Sequence, residues 1–364
     1  VSGETPEAKA PTTTTTVSGK KKAATIARIA GYKPLAASLE ETEARLARAV
    51  TAQPRLLGDV AGHLLAAGGK RVRPALALLF ADLVLPAQAT PAQAQDIRTR
   101  AVSAGVSCEL VHLGSLYHDD VIDEATTRRG VPTVNVNWSN TVAVLAGDFL
   151  LARASEISAQ LGADVADMLA WTITQLVMGE LLELEQLFDH TTSVETYFKV
   201  VDGKTASLMG TSCRLGSLMA DPSSTTKSDL AFEFGSQLGR VFQIVDDILD
   251  LVADESATGK RTGIDLLEGV YTLPVLLAVH NEKEKKQKNT LAKLLENQVN
   301  DQVLDETTNL IRKLGGIEDA KLVAAHHLTR CEEILRKFPQ NTANEALSRL
   351  ARYVLSRAPE GTSS

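Results

Sequence analysis

The sequence predicts an all-α fold, a large helical bundle closed around a central cavity. Three observations predict it. From about Pro34 to Arg357 apolar residues recur at intervals of three and four, the period of a helix with one buried face. Over the same span no run alternates apolar and polar residues as a half-buried strand would. Two strongly apolar segments then switch abruptly to aspartate, at Asp119-Asp120 and Asp246-Asp247, which a helix buried over most of its circumference does only toward an internal cavity.

Taken in order, the period predicts helices at roughly 35–66, 74–85, 97–124, 140–161, 164–189, 194–219, 227–252 and 272–281, with three or four shorter ones up to 357. Breaks fall where glycine and proline punctuate the chain: Gly68-Gly69 before Pro74, Gly130 to Pro132, Asp221-Pro222, and Gly259 to Gly263. Glu282 to Lys288 reads as a charged, solvated connection. Residues 1–24, with Thr12 to Thr16 and Lys20 to Lys22, lack periodicity and read as a disordered tail; 25–358 read as a single helical domain and 359–364 as a second short tail.

Composition narrows the function classes. A 364-residue chain that is 44% apolar can bury a substantial core. A formal net charge of -7 leaves no concentrated basic face for nucleic acid. Cys108, Cys213 and Cys331 are too few and too far apart for a disulfide framework or a zinc site, and read as buried thiols of a reducing compartment. With no apolar run of eighteen residues and no signal-peptide core near the beginning, a cytoplasmic protein is predicted, with at most transient membrane association.

The chemistry begins at ELVHLGSLYHDDVIDEATTRRG, residues 109–130. On a helix Asp119 and Asp123 lie one turn apart, and Asp120 is within reach of Asp123. Carboxylates converging in this way repel unless a cation lies between them, and hard oxygen ligands suit magnesium, which completes its shell with water and phosphate oxygens. One such motif is also what a solvated helix end looks like. A second, Asp246, Asp247 and Asp250, lies on a helix surrounded by Leu238, Val241, Phe242, Val245, Ile248 and Leu249. Two acidic patches in a partly desolvated bundle need cations and a diphosphate between them. Basic residues follow: Lys70, Arg71 and Arg73 in GGKRVRP, where glycines admit an anion to the backbone, and Arg128-Arg129 after the first motif.

With these motifs in place, about residues 35–357 resemble the trans-prenyltransferases, the polyprenyl diphosphate synthases of the isoprenoid-synthase fold, and specifically a medium- to long-chain, actinobacterial-type member. The resemblance rests on GGKRVRP, DDVID with RRG, PTVN and LAGD, Gly179-Glu180, Lys204-Thr205, and QIVDDILD followed by GK, DL and TLP, in that order. It implies that isopentenyl diphosphate is condensed onto an allylic diphosphate with magnesium, three ions per active site. Asp119, Asp123 and Asp246 would hold the ions, with Asp120, Asp247 and Asp250 completing the acidic shells. Arg128, Lys204, Thr205, Gln243 and Lys260 match allylic diphosphate positions, with Lys204, Thr205 and Gln243 around the allylic cation; Lys70, Arg73, His112 and Arg129 match isopentenyl diphosphate positions. The departing diphosphate serves as base, so no catalytic histidine is required; His118 reads as a satisfied neighbour and His326-His327 as filler.

In such enzymes the growing tail runs beside the first aspartate helix. Gly114, five residues before Asp119, with Ser115 beside it and Leu110 and Val111 one turn deeper, leaves the path open and implies roughly six to ten isoprene units, each turn giving about 5.4 Å of tunnel. A geranylgeranyl-length product, a terpene cyclase and a non-catalytic subunit of a heteromeric synthase are the alternatives; GGKRVRP and RRG argue against the cyclase, and two intact aspartate motifs against the subunit. A homodimer is implied as well. Val270 departs from the pattern, standing where many relatives carry a basic residue, and the ending RAPEGTSS lacks a basic tail.

Overall fold

The computed structural model describes residues 25–52, 54–252, 262–284 and 290–359. The expected tail 1–24, residues 360–364 of the expected C-terminal tail, and Lys260 lie outside them. The elements are α1 (25–30), α2 (Lys33–Ala49), α3 (Arg55–Ala61), α4 (His63–Ala66), α5 (Val72–Leu83), α6 (Pro91–Ile122), a ribbon of β1 (Thr127–Arg128) and β2 (Val131–Pro132), α7 (Val134–Asn137), α8 (Asn140–Leu161), α9 (Ala163–Glu185), α10 (Val194–Val201), a π-helical turn (Asp202–Ala206), α11 (Ser207–Ala220), α12 (Thr225–Val252), α13 (Ile264–Glu268), α14 (Leu273–Glu284), α15 (Thr290–Glu296), α16 (Leu304–Lys313), α17 (Gly316–Leu335) and α18 (Thr342–Ser356).

The all-α expectation holds, and the departures from the predicted boundaries have local causes. The predicted helix 35–66 breaks after Ala49 because Pro54, the N-cap of α3, adopts an extended conformation (ψ 157°). Helix α6 starts six residues early because Pro91 follows a reciprocal capping box: the Gln93 N–H donates to the Thr90 hydroxyl at 3.3 Å and the Thr90 N–H to Gln93 Oε1 at 2.9 Å. The predicted helix 194–219 is interrupted by the π turn. In the RRG segment Thr127 pairs with Pro132 and Arg128 with Val131, an antiparallel ribbon closed by Arg129 (φ 55°) and Gly130 (φ 78°). Glu282, read from sequence as part of a solvated loop, is 2% exposed: its carboxylate accepts from the Thr290, Leu291 and Ala292 N–H groups at 2.6–3.3 Å and caps α15.

Helix α11 is the innermost element, with Leu208, Met209, Cys213, Leu215 and Met219 buried between α5, α6 and α12. Close approach depends on small residues: a Cβ on Gly216 would stand 2.1 Å from the Ala77 carbonyl oxygen. Helix α12 joins the two apolar clusters of the molecule, contributing Leu238, Val241 and Val245 to the larger and Ile244, Ile248 and Leu251 to the smaller. All three cysteines are buried and unpaired.

Arg71, placed by the sequence among the diphosphate-binding basic residues, is instead a buried strut. Its guanidinium donates to Glu43 at 2.5 and 3.2 Å and to Glu109 at 3.0 Å, tying α2 and α6 to the start of α5. Burial works against this charge, but Glu109 and Glu43 outweigh it and raise its pKa. Removing one partner of a buried ion pair strands the others. Arg71→Leu is therefore expected to cost about 3–5 kcal/mol of stability, read by denaturant unfolding; a loss below about 1 kcal/mol, the worth of an exposed pair, would contradict the strut.

Candidate active site

Both aspartate motifs stand at the C-terminal ends of long helices. Asp119 and Asp120 lie in the last turn of α6 with Asp123 as its C-cap, whose N–H donates to the Asp119 carbonyl at 2.8 Å; Asp246, Asp247 and Asp250 lie in the last two turns of α12. Unpaired carbonyls give a helix C-terminus partial negative charge, so carboxylates there are unfavourable unless a cation compensates. The two ends border one cavity of about 360 Å³.

The six predicted metal carboxylates divide evenly. Asp119, Asp123 and Asp247 line the cavity. The other three have protein partners: Asp120 pairs with Arg128, Asp246 Oδ1 with Arg357 Nη2 at 2.9 Å, and Asp250 accepts from the Ile264 and Asp265 N–H groups at 3.3 Å, capping α13. Glu183 and Glu268, absent from the sequence reading, and Asp265, quoted there only within DL, line the cavity as well. Burial first, then Glu180, pushes Asp119 up to about 7, with Asp123 adding to the rise against Lys204 and Arg128. Burial likewise pushes Asp247 up to about 7, although hydrogen bonds from Tyr197 and Gln243 oppose it. Asp265 is raised well above the carboxylate range by burial and by Asp250, Asp247 and Glu183.

Such an under-neutralised, all-oxygen donor set fits a hard divalent cation. Among the described residues no three carboxylate, imidazole or thiol groups form a ready-made metal cluster. The protein therefore supplies ligands from separated walls, and further oxygens, of the kind a diphosphate carries, are needed to complete a shell.

Lys204 and Thr205 occupy the π turn, a feature frequent at functional sites because it redirects side chains out of helical register. Two glycines permit it: a Cβ on Gly203 would stand 2.7 Å from the Gly179 Cα, so α9 and the turn touch backbone to backbone. That contact sets Lys204 Nζ against Glu180 at 2.8 Å and against Glu183. Burial opposes the Lys204 charge, but Glu183 and Glu180 more than compensate and hold its pKa above the usual value. From Thr205 a hydrogen-bond chain crosses the cavity wall: Thr205 Oγ1 donates to Gln243 Oε1 at 2.8 Å, Gln243 Nε2 to Asp247 Oδ1 at 2.9 Å, and the Tyr197 hydroxyl to Asp247 Oδ2 at 2.5 Å. Tyr197 was not singled out in the sequence; only its position two turns before Lys204 hinted at it.

The basic residues form a second centre. Arg73 is enclosed, its Nε has no hydrogen-bond partner, and burial together with Arg129 lowers its pKa despite Glu109. Arg129 donates to the Gly68 carbonyl at 2.6 Å. Burial, then Arg73 and Arg129, hold His112 well below its ordinary pKa, so it is neutral. An unpartnered arginine nitrogen beside Arg129 and a neutral histidine is the complement of an anion. Lys70 is exposed and lines a separate small cavity with Arg357. Arg128 and Val270 line the acidic cavity.

Leu110 and Val111 are fully buried, and Ser115 Oγ donates to the His112 carbonyl at 3.0 Å. The space beside Gly114 is not empty: a Cβ there would meet the Gly147 carbonyl oxygen at 3.1 Å and Leu151 Cγ at 3.2 Å. Leu151 of α8 thus fills what the glycine leaves. His118 Nε2 is 3.2 Å from the Val144 carbonyl oxygen, a satisfied neighbour as the sequence suggested, whereas His327, read as filler, has a partner in Gln237, whose Oε1 is 2.7 Å from its Nδ1.

Comparison with known proteins agrees with this arrangement. The chain is 38% identical over 320 residues to nonaprenyl diphosphate synthase of Mycobacterium tuberculosis, covering 88% of this chain and 90% of the relative. Its fold matches a decaprenyl diphosphate synthase from Rhodobacter capsulatus (TM-score 0.80, 32% identity, 92% of this chain and 100% of that one). It also matches a polyprenyl synthase from Caulobacter crescentus complexed with calcium and isoprenyl diphosphate (TM-score 0.78, 28% identity, 94% and 99%). The polyprenyl synthetase family profile matches residues 54–311, and the chain belongs to that family of trans-prenyltransferases.

Proposed function

We propose that this chain is a trans-polyprenyl diphosphate synthase that condenses isopentenyl diphosphate onto an allylic diphosphate and releases products of about six to ten isoprene units, a class used as quinone side chains or lipid carriers. The observation that carries the reading is the pairing of two unlike anion sites: an acidic cavity that needs cations with its diphosphate, and a basic centre that needs none. The first suits the diphosphate that ionises, the second the diphosphate that is only held.

In the acidic cavity Asp119, Asp123 and Asp247, with Asp265, present oxygens to magnesium, proposed as three ions; Asp246 contributes once released from Arg357, while Asp120 and Asp250 act from behind. When bound, magnesium neutralises charge developing on the leaving diphosphate. Arg128 and Lys204 add positive charge from the protein. Thr205 and Gln243 turn their oxygen dipoles toward the allylic cation, and the Tyr197–Asp247 bond holds Gln243 in orientation. Lys260, outside the described residues, is proposed to complete the allylic diphosphate site. On the other side Arg73, Arg129 and neutral His112, with Lys70 at the rim, bind isopentenyl diphosphate and direct its double bond toward the cation. The diphosphate that leaves takes the final proton.

The reading includes a homodimer, which an exposed apolar helix face supports. Helix α9 is long and apolar enough to cross a membrane by length and composition, with mean hydropathy 1.2 in its most apolar stretch, only 22% of it buried. No charged residue occurs from Met168 to Gly179, and Trp171, Val177 and Met178 are 45–59% exposed. A second copy apposing this face would remove it from water. Val177→Asp combined with Met178→Asp should convert a dimeric species to a monomer in light scattering; a monomeric parent protein would contradict the proposal and favour a heteromeric partner.

Incubation of purified protein with magnesium, isopentenyl diphosphate and each allylic primer should yield a product ladder ending at about six to ten units, lost on chelation. A ladder stopping at four units would make it a geranylgeranyl synthase, and no elongation from any primer would point to a non-catalytic subunit. Gly114→Phe, forced against Leu151 and the Gly147 carbonyl, should shorten the ladder; unchanged length in the folded variant would refute the tunnel beside α6.

A further inference from the structure

The π turn that carries Lys204 and Thr205 is held from outside the acidic cavity as well as from within it. A π turn is a rare backbone form and persists where its surroundings hold it. Here the Ser207 N–H donates to the Asp202 carbonyl, five residues back, which sets the register of the turn. The Asp202 side chain is gripped by Arg240 of α12, whose Nε and Nη2 donate to its two carboxylate oxygens, each at 2.7 Å. Three residues further on in both elements comes the second contact, Thr205 Oγ1 to Gln243 Oε1 at 2.8 Å. Gly239, next to Arg240, lets the backbones meet: a Cβ there would stand 2.6 Å from the Ala206 Cα. Residues three apart share a face of α12, so the helix grips the turn at two points of matched spacing. Thr205 and Gln243 line the acidic cavity, whereas Asp202 and Arg240 line a separate groove.

We propose that Arg240 and Asp202 are positioning residues for the condensation: their fork fixes the register of the π turn, and with it the placement of Lys204 and Thr205, without touching substrate. This rests on the reading of Lys204 and Thr205 as groups that act on the allylic diphosphate. A guanidinium suits the task because two parallel bonds fix orientation as well as distance, which a lysine ammonium does not. Its plane is steadied by the Phe198 ring of α10, whose centroid is 5.4 Å from the guanidinium carbon. The two side chains are partly exposed, at 27% and 40%, so the pair adds little to overall stability. Its effect falls on geometry instead, where a displacement of about 1 Å at a reacting group can slow an enzyme about a hundredfold. Loss of the fork therefore slows the chemistry far more than it weakens the fold.

Arg240→Met keeps an unbranched stem over Phe198 and removes the fork. In the full chain with magnesium and a saturating allylic primer, the single-turnover condensation rate should fall roughly five- to fiftyfold, while KM for isopentenyl diphosphate stays within about twofold because the basic centre is untouched. Arg240→Lys, which reaches one carboxylate oxygen, should recover part of the rate, and Arg240→Met added to Asp202→Ala should slow it no further. In the substrate-free protein, hydrogen exchange at the Ser207 N–H should quicken in Arg240→Met and in Asp202→Ala, with the unfolding temperature lowered by no more than a few degrees. Unchanged exchange at Ser207 would mean that the fork does not hold the turn, and the proposal fails whatever the rate does. Faster exchange with an undiminished condensation rate would mean that the turn is held but its register does not matter to the reaction, which also overturns the positioning role. A large fall in unfolding temperature, with rate and KM worsening together, would make the pair merely structural. A parent protein that condenses nothing would refute the reading of Lys204 and Thr205 and the positioning role with it, while exchange at Ser207 would still report whether the fork holds the turn.

Discussion

The constraint on which this structure depends is electrostatic: two long helices end, carboxylates first, on one partly buried cavity. A helix C-terminus already carries unpaired carbonyls, and each added carboxylate raises the cost of the others. The fold answers part of that charge internally. Arg128 takes Asp120, Arg357 takes Asp246, the amides opening α13 take Asp250, and Lys204 takes Glu180 and Glu183. No cationic side chain pairs with Asp119, Asp123, Asp247 or Asp265 among the described ion pairs, Asp247 having only the neutral donors Tyr197 and Gln243, and burial lifts these carboxyls toward protonation. That residue of charge is the part left for cations arriving with a diphosphate.

The basic centre has the opposite imbalance. Arg71 is consumed in holding α2, α5 and α6 together, which leaves Glu109 neutralised and Arg73, Arg129 and His112 without an anion of their own. Two anion sites of different character are thus built by one scaffold, and the backbone contact of Gly179 with Gly203 supplies the π turn from which Lys204 and Thr205 project. The polar chain from Thr205 to Tyr197 then orients Gln243 from behind, without any histidine in a proton-transferring position.

Much of this was legible in the sequence, because helix period and the abrupt aspartates are local signals. The all-α class, the paired acidic motifs and the arginines of RRG were found that way; Lys204-Thr205 came from the family resemblance. What was not legible is which charges are already matched. Asp119 and Asp120 are neighbours in sequence, yet one faces the cavity and the other, itself buried, pairs with a partly exposed arginine eight residues on; Asp246 meets Arg357 more than a hundred residues away. Arg71 and Arg73 look equivalent in GGKRVRP, and only tertiary packing makes one a strut and leaves the other free. Asp265 entered only as part of the DL pair and Glu268 not at all, since no helix was predicted between 252 and 272, and the break at Pro54 was a signal present in the text but outweighed by the surrounding helix formers. Gly114 illustrates the converse: an absent side chain says where space is allowed, and the neighbour Leu151 decides whether it is open.

The central claim is that the acidic cavity accepts its diphosphate only together with divalent cations. Calorimetric titration of an unreactive allylic thiolodiphosphate into the protein, with magnesium and then with chelator, measures that coupling directly. The account predicts that affinity falls by at least roughly tenfold when magnesium is removed, and that the analogue tightens magnesium by the same factor. Equal affinity with and without magnesium would mean that the protein neutralises the cavity by itself, and would contradict the account.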